Sequence, residues 1–140
     1  LKDEPEWAAS LHALIRTGID DLKTSLDQGV KQNMNYWQLT NSEGKICSVC
    51  LAGATMLQKG VKLIPDDDLP SWARTLNCLR MGSLDLTDVC SCMPLELDRS
   101  IIAEWDEAGH NVCIISDEME VDEILEELEA RYEFLKQRNI

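Results

Sequence analysis

A chain of 140 residues suits one domain, long enough for one hydrophobic core and too short for two. At 44% apolar and 28% charged it has the make-up of a folded protein rather than a disordered acidic tail, and its longest apolar runs fall far short of a membrane span. A formal net charge of −13 opposes direct binding to nucleic acid or to an anionic membrane and favours basic partners.

That charge is unevenly spread. Residues 1–62 hold seven acids and seven bases, whereas residues 63–140 hold nineteen acids and six bases. The expected organisation is a single helical domain over 1–140, neutral over 1–62 and acidic over 63–140. No N-terminal stretch pairs a basic flank with an apolar core, so a secretory signal is not read and a cytoplasmic location is expected. In a reducing compartment the six cysteines, Cys47, Cys50, Cys78, Cys90, Cys92 and Cys113, are expected as free, mostly buried thiols rather than as three bridges.

Along the chain, Trp7, Leu11, Leu14, Ile15, Ile19, Leu22 and Leu26 recur at helical steps and predict a helix over 5–27, closed by Gly29. Gly18 inside it marks close packing or a weak point. Residues 29–45 are broken by Gly29, Asn33, Asn35, Asn41 and Gly44 and read as a loop carrying Tyr36 and Trp37. From Ile46 to Lys59, the spacing of Cys47, Cys50, Leu51, Ala54 and Leu57 predicts the central buried helix, with Gly53 giving it a small-residue surface. A further helix is expected from Pro70, with Trp72, Leu76 and Leu79 inward and Gly82 as its stop. Ser83 to Met93 is ambiguous. Pro94 opens a helix with Leu95, Ile101, Ile102 and Trp105 inward, ending at Gly109.

Residues 111–115 read as a short strand or a buried connector. The last segment has the cleanest stripe: Val121, Ile124, Leu125, Leu128, Tyr132 and Leu135 predict a helix over 117–138, capped by Ser116 or Asp117. Arg131, Lys136 and Arg138 gather at its end, where the dipole favours cations. The fold class expected is all-α, a compact bundle of about five helices, with a two-stranded element from 33–46 and 111–115 as the foreseeable exception.

Several patterns bear on chemistry. Cys47-Ser48-Val49-Cys50 is a C-x-x-C, and with two of Cys90, Cys92, His110 and Cys113 it would make a zinc site. Helical i,i+3 spacing explains the pair equally as packing. A redox dithiol lacks the preceding strand of a thioredoxin-like fold. His12 and His110 have no serine or cysteine motif to pair with. Asp66-Asp67-Asp68, Asp85 and Asp88 lack the plan of a calcium loop and read as solvated acids. Of the four tryptophans, Trp7, Trp72 and Trp105 are expected in the core, and Trp37 is the candidate for partner contact.

The acids Glu118, Asp122, Glu126, Glu129 and Glu133 fall opposite the stripe of the last helix, flanked by Glu120, Glu123 and Glu127. Such a face serves solubility. It also resembles a row of phosphates: duplex DNA carries a charge about every 1.7 Å, and an acid every two residues of helix gives one about every 3 Å.

The segment Cys47-Ser48-Val49-Cys50-Leu51-Ala52-Gly53-Ala54-Thr55-Met56 resembles a C-x-V-C-L-A-G-A segment of small proteins carried by bacteriophages. The resemblance spans about ten residues and implies a context in which small accessory proteins bind and inhibit host enzymes; it transfers no residue role. The sequence therefore predicts a non-enzymatic acidic module without cofactors that binds a basic surface of a protein partner, as an inhibitor or nucleic-acid decoy. The binding residues expected are Glu118, Asp122, Glu126, Glu129, Glu133 and Trp37. A zinc-stabilised domain on Cys47 and Cys50, and a homodimer built on the Val121 to Leu135 stripe, are the alternatives.

Overall fold

Ser10 decides where the first helix begins. Its extended backbone (φ −144°, ψ 166°) and its Oγ, which accepts the Ala13 N–H, make it the N-cap of α1, Leu11–Asp27. The turn before it, Glu6–Ala8, is 3-10, so the helix expected from residue 5 is divided in two. His12 supports the cap, with its Nδ1 3.2 Å from Ser10 Oγ. The computed structural model describes residues 5–34, 36–61, 70–82, 84, 99–111, 115–116 and 118–140.

After α1, Gly29 turns the chain at φ 87°, and residues 29–49 form a small sheet where a loop and a helical start were expected. Its strands are β1 (Lys31–Gln32), β2 (Gln38–Thr40) and β3 (Ile46–Val49), in the order β1-β3-β2. β1 runs parallel to β3, with Lys31 opposite Ser48. β2 and β3 are antiparallel, with an irregularity between Leu39 and Thr40. The residues that read as loop breakers build the turn between β2 and β3: Asn41 Oδ1 accepts the N–H groups of Glu43 and Lys45, and Gly44 takes φ 79°. An asparagine side chain bonding its own backbone and a left-handed glycine are what a tight connection needs. Of residues 111–115, Asn111 and Ile115 are described, and neither belongs to a strand.

The segment expected as one helix from Ile46 is thus a strand followed by α2, Leu51–Gln58. Its central position is as anticipated, since every residue from Leu51 to Met56 is buried. Gly53 brings the sheet onto it. A Cβ there would overlap the Trp37 carbonyl oxygen, which accepts the Cys50 N–H, while Gln38 Nε2 donates to the Gly53 carbonyl. Gly18 does the same for the helices: a Cβ on it would lie 3.0 Å from Leu76 and 3.1 Å from Leu51.

α3 spans Ser71–Met81, with Trp72, Leu76 and Leu79 buried. Gly82 ends it in the left-handed region at φ 86°, donating its N–H to Leu79. α4, Arg99–Glu107, buries Trp105 and is followed by Gly109 at φ 83°. The proposed start of this helix at Pro94, the Ser83 to Met93 region apart from the buried Leu84, the Asp66 triplet, Asp85 and Asp88 lie outside the described residues. α5, Val121–Gln137, lies antiparallel to α1: the Ile140 carbonyl accepts the Leu11 and His12 N–H groups, and Arg16 meets Glu129.

The architecture is therefore mainly helical, five α-helices and a three-stranded sheet among the described residues, rather than purely all-α. Ile124, Leu128 and Leu135 of the α5 stripe are buried in this core. Of the stripe proposed as a dimer seam, these three are covered within one chain, and Val121, Leu125 and Tyr132 only in part. No helix among the described residues is long and apolar enough to cross a membrane.

Candidate functional site

The acidic face begins before its helix. Glu120 is extended (φ −66°, ψ 149°), and the Met119 N–H donates to the Ser116 carbonyl. Glu118 and Glu120 therefore sit in a lead-in turn, and α5 starts four residues later than position 117. Along α5, Asp122, Glu126, Glu129 and Glu133 follow one another at steps of four, three and four. They share one face over about 16 Å, at about 1.5 Å per residue.

Glu129 interrupts that row. Arg16 holds it with two hydrogen bonds, Nη1 to Oε2 at 2.8 Å and Nη2 to Oε1 at 2.9 Å, and Lys23 Nζ lies 3.5 Å from Oε1. The Arg16 bond pulls the Glu129 carboxyl below its usual range, and the same bond, followed by Asp20, raises the guanidinium. Glu129 is thus an internal clasp between α1 and α5. Glu118, Glu120, Asp122, Glu123 and Glu126 are exposed. They form no ion pair with any described residue, which leaves an acidic patch around the start of α5. Glu133, also exposed, stands apart beyond the clasp.

Glu127 is committed in another way. Its Oε1 accepts from His110 Nδ1 at 2.7 Å and from Arg131 Nε at 3.0 Å. Arg131 is fully buried, with Nη1 donating to the carbonyls of Leu79 and Arg80 and Nη2 to that of His110. Leu79 and Arg80 belong to the last turn of α3, where carbonyls lack helical partners. Sequence reasoning placed Arg131 with Lys136 and Arg138 as cations gathered at the end of the helix, where the dipole favours them. Its position held the better signal, since Ile124, Leu128, Arg131 and Leu135 share the apolar spacing.

Trp37 is half-buried and packs against the core through the contact its carbonyl makes at Gly53. The aromatic that stands out is its neighbour Tyr36, 58% exposed. Trp72 and Trp105 are buried, and Trp7 packs edge-on against Trp72 with ring centres 4.8 Å apart.

The C-x-x-C is divided between two elements. Cys47, on β3, donates to the Leu39 carbonyl, while Cys50 is the N-cap of α2 and accepts the Gly53 N–H. The strand before α2 begins only at Ile46 and contains Cys47 itself, so no strand lies immediately before the pair, and the two thiols are not both in the helical start. Burial pushes the Cys50 thiol up despite its position at the helix N-terminus, which disfavours the thiolate that redox chemistry or zinc needs. Cys47, Cys50 and Cys78 are free thiols, and Cys90, Cys92 and Cys113 lie outside the described residues. His110, a candidate fourth ligand, is engaged by Glu127. No group of three His, Cys, Asp or Glu side chains is placed to share a metal ion among the described residues.

Comparison with protein-family models, curated proteins and solved structures gave no match.

Proposed function

We propose that the protein acts by binding rather than by catalysis, presenting the acidic patch at the start of α5 to a basic surface of a protein partner. The observation that carries this reading is the division of labour among the acids. Glu127 and Glu129 are tied to internal cations, whereas Glu118, Glu120, Asp122, Glu123 and Glu126 stand in solvent without a cation from the described residues. Asp122 and Glu123 also complement the dipole of the first turn, but Glu118, Glu120 and Glu126 exceed that need. A fixed carboxylate patch of this kind would compete with nucleic acid for a cationic channel, the mode of an inhibitor or decoy, which also fits the phage-like resemblance of the α2 segment.

The test is capture of partners from a host lysate by the immobilised protein, followed by elution with duplex DNA and with salt. A variant carrying Glu118→Gln, Asp122→Asn, Glu123→Gln and Glu126→Gln should bind the captured partner more weakly by about tenfold or more, since exposed ion pairs contribute roughly 0.2–1 kcal/mol each. Both eluents should release the partner from the unaltered protein. Equal affinity of the variant, together with salt-resistant capture, would overturn the proposal.

A further inference from the structure

A second site, independent of the acidic patch, lies where α3 meets the sheet. Arg80 is a half-buried guanidinium in the last turn of α3. Its Nε donates to Asn77 Oδ1 at 3.1 Å and its Nη1 to the Ile115 carbonyl at 2.8 Å. Both acceptors are neutral, and Nη2 has no acceptor among the described residues. Arg80 has no ion pair among the described residues, and Glu127 is already held by Arg131 and His110. Burial lowers the Arg80 pKa; Cys50 opposes that shift, and Arg131 acts with burial. A cation in that setting gains from an anion that would come with a ligand.

Arg80 lines a cleft of about 110 Å³ together with Asn77, Cys50, Met34, Tyr36 and Trp37. Among the described residues Asn77 Nδ2 reaches only the Met81 sulfur, at 3.9 Å, and a thioether is a weak acceptor. Cys50 caps α2, so the positive end of that helix dipole borders the cleft. The lining thus combines the Arg80 and Asn77 N–H donors with Tyr36, Trp37 and Met34.

We propose that this cleft binds a small monoanionic carboxylate on a flat apolar body. A planar guanidinium edge matches a carboxylate in a paired geometry. A single charge balances the one guanidinium, whereas a phosphate dianion would add a further charge to a molecule already at −13. The volume admits a body the size of one ring, and Trp37 and Tyr36 supply surfaces for it to stack on. A free aromatic acid and the C-terminal aromatic residue of a peptide share this chemistry.

The experiment is an NMR titration of the ¹⁵N-labelled protein with benzoate, benzamide, inorganic phosphate and N-acetylphenylalanine, following the Trp37 indole and Arg80 Nε–H signals. Benzoate or N-acetylphenylalanine should shift those signals saturably, with benzamide and phosphate weaker by about tenfold or more. Tighter binding of N-acetylphenylalanine assigns the cleft to a chain end, and tighter binding of benzoate assigns it to a free acid. Arg80→Gln should weaken the acid by about tenfold, with thermal unfolding run alongside. Should that variant not fold, Asn77→Ala and the acid-against-amide comparison in the unaltered chain decide the matter. No saturable shift with ligand on the order of 10 mM, equal binding of benzamide, or tighter binding of phosphate overturns the proposal.

Discussion

Arg131 occupies a position where an aliphatic side chain would continue the apolar stripe of α5, and its guanidinium satisfies carbonyls from two other segments. The Leu79 and Arg80 carbonyls close α3, and the His110 carbonyl belongs to the turn after α4. Gly82 makes the approach feasible: it takes φ 86°, a Cβ on it would overlap the His110 carbonyl oxygen, and its own carbonyl accepts the Trp105 indole N–H at 2.8 Å. A buried cation of this kind adds little over a well-packed apolar residue, yet removing it alone takes from Glu127 its guanidinium and from the Leu79, Arg80 and His110 carbonyls a charged donor. Arg131→Met should lower unfolding stability by about 3–5 kcal/mol, read as a shift of the urea midpoint. The double variant Arg131→Met, Glu127→Gln should regain part of that loss, because the carboxylate that lost its guanidinium is gone, while the Leu79 and Arg80 carbonyls fall back on the N–H groups of Gly82 and Ile115. A single variant as stable as the parent would show that this junction is held by packing alone.

At the scale of elements, the clasp between Arg16 and Glu129 fixes how α5 lies on α1, and Arg16 also sits 4.9 Å from the centre of the Tyr132 ring. The pair is partly exposed, with side-chain accessibilities of 29% and 36%, so Glu129→Gln should cost about 0.5–1 kcal/mol at neutral pH. Because the folded Glu129 carboxyl lies below its unfolded value, its contribution is present above the ordinary carboxylate range and is lost as pH falls through the folded pKa. Denaturation curves of parent and variant should therefore converge in acid. Asp21, which burial raises, acts with the opposite sign: its unfavourable contribution fades as pH falls. Long periodic segments made α1, α3 and α5 legible in the sequence, as Trp72, Leu76 and Leu79 show. The sheet was legible only in part, as a two-stranded element from 33–46 with 111–115, because its strands have two to four residues, too few for alternation to register, and because Cys47 and Cys50 imitate helical spacing next to a real helix. The acidic face was legible as a pattern, but its division at Glu129 depends on Arg16, which is 113 residues away. The Arg80 cleft joins α3 to Tyr36 and Trp37 across the fold, a proximity that no local pattern encodes.

For the molecule as a whole, the acids that remain in solvent oppose the fold that carries them. On α5, Asp122 and Glu126 are four residues apart, as are Glu123 and Glu127 and also Glu129 and Glu133, and like charges at that spacing destabilise a helix by about 0.2–0.5 kcal/mol per pair. Arg16 and Arg131 relieve Glu129 and Glu127, whereas Asp122, Glu123 and Glu126 gain no such relief from the described residues. With a net charge of −13, self-repulsion extends beyond single pairs and is screened over about 10 Å at 0.1 M salt. Stability and partner binding should therefore respond to salt in opposite directions: raising ionic strength should increase the melting temperature while weakening partner capture. The Glu126→Gln variant, which leaves the first-turn acids in place to complement the dipole, should be more stable than the parent by about 0.2–0.5 kcal/mol at low salt, and that advantage should shrink as salt is added. Calorimetry of both proteins across a salt series, beside the capture assay, separates the two roles of the patch. If the variant melts higher, stays soluble and captures its partner more weakly, the acids are kept for binding at the expense of stability. If it precipitates while partner capture is unchanged, the same acids serve solubility, and the binding surface lies elsewhere on the molecule.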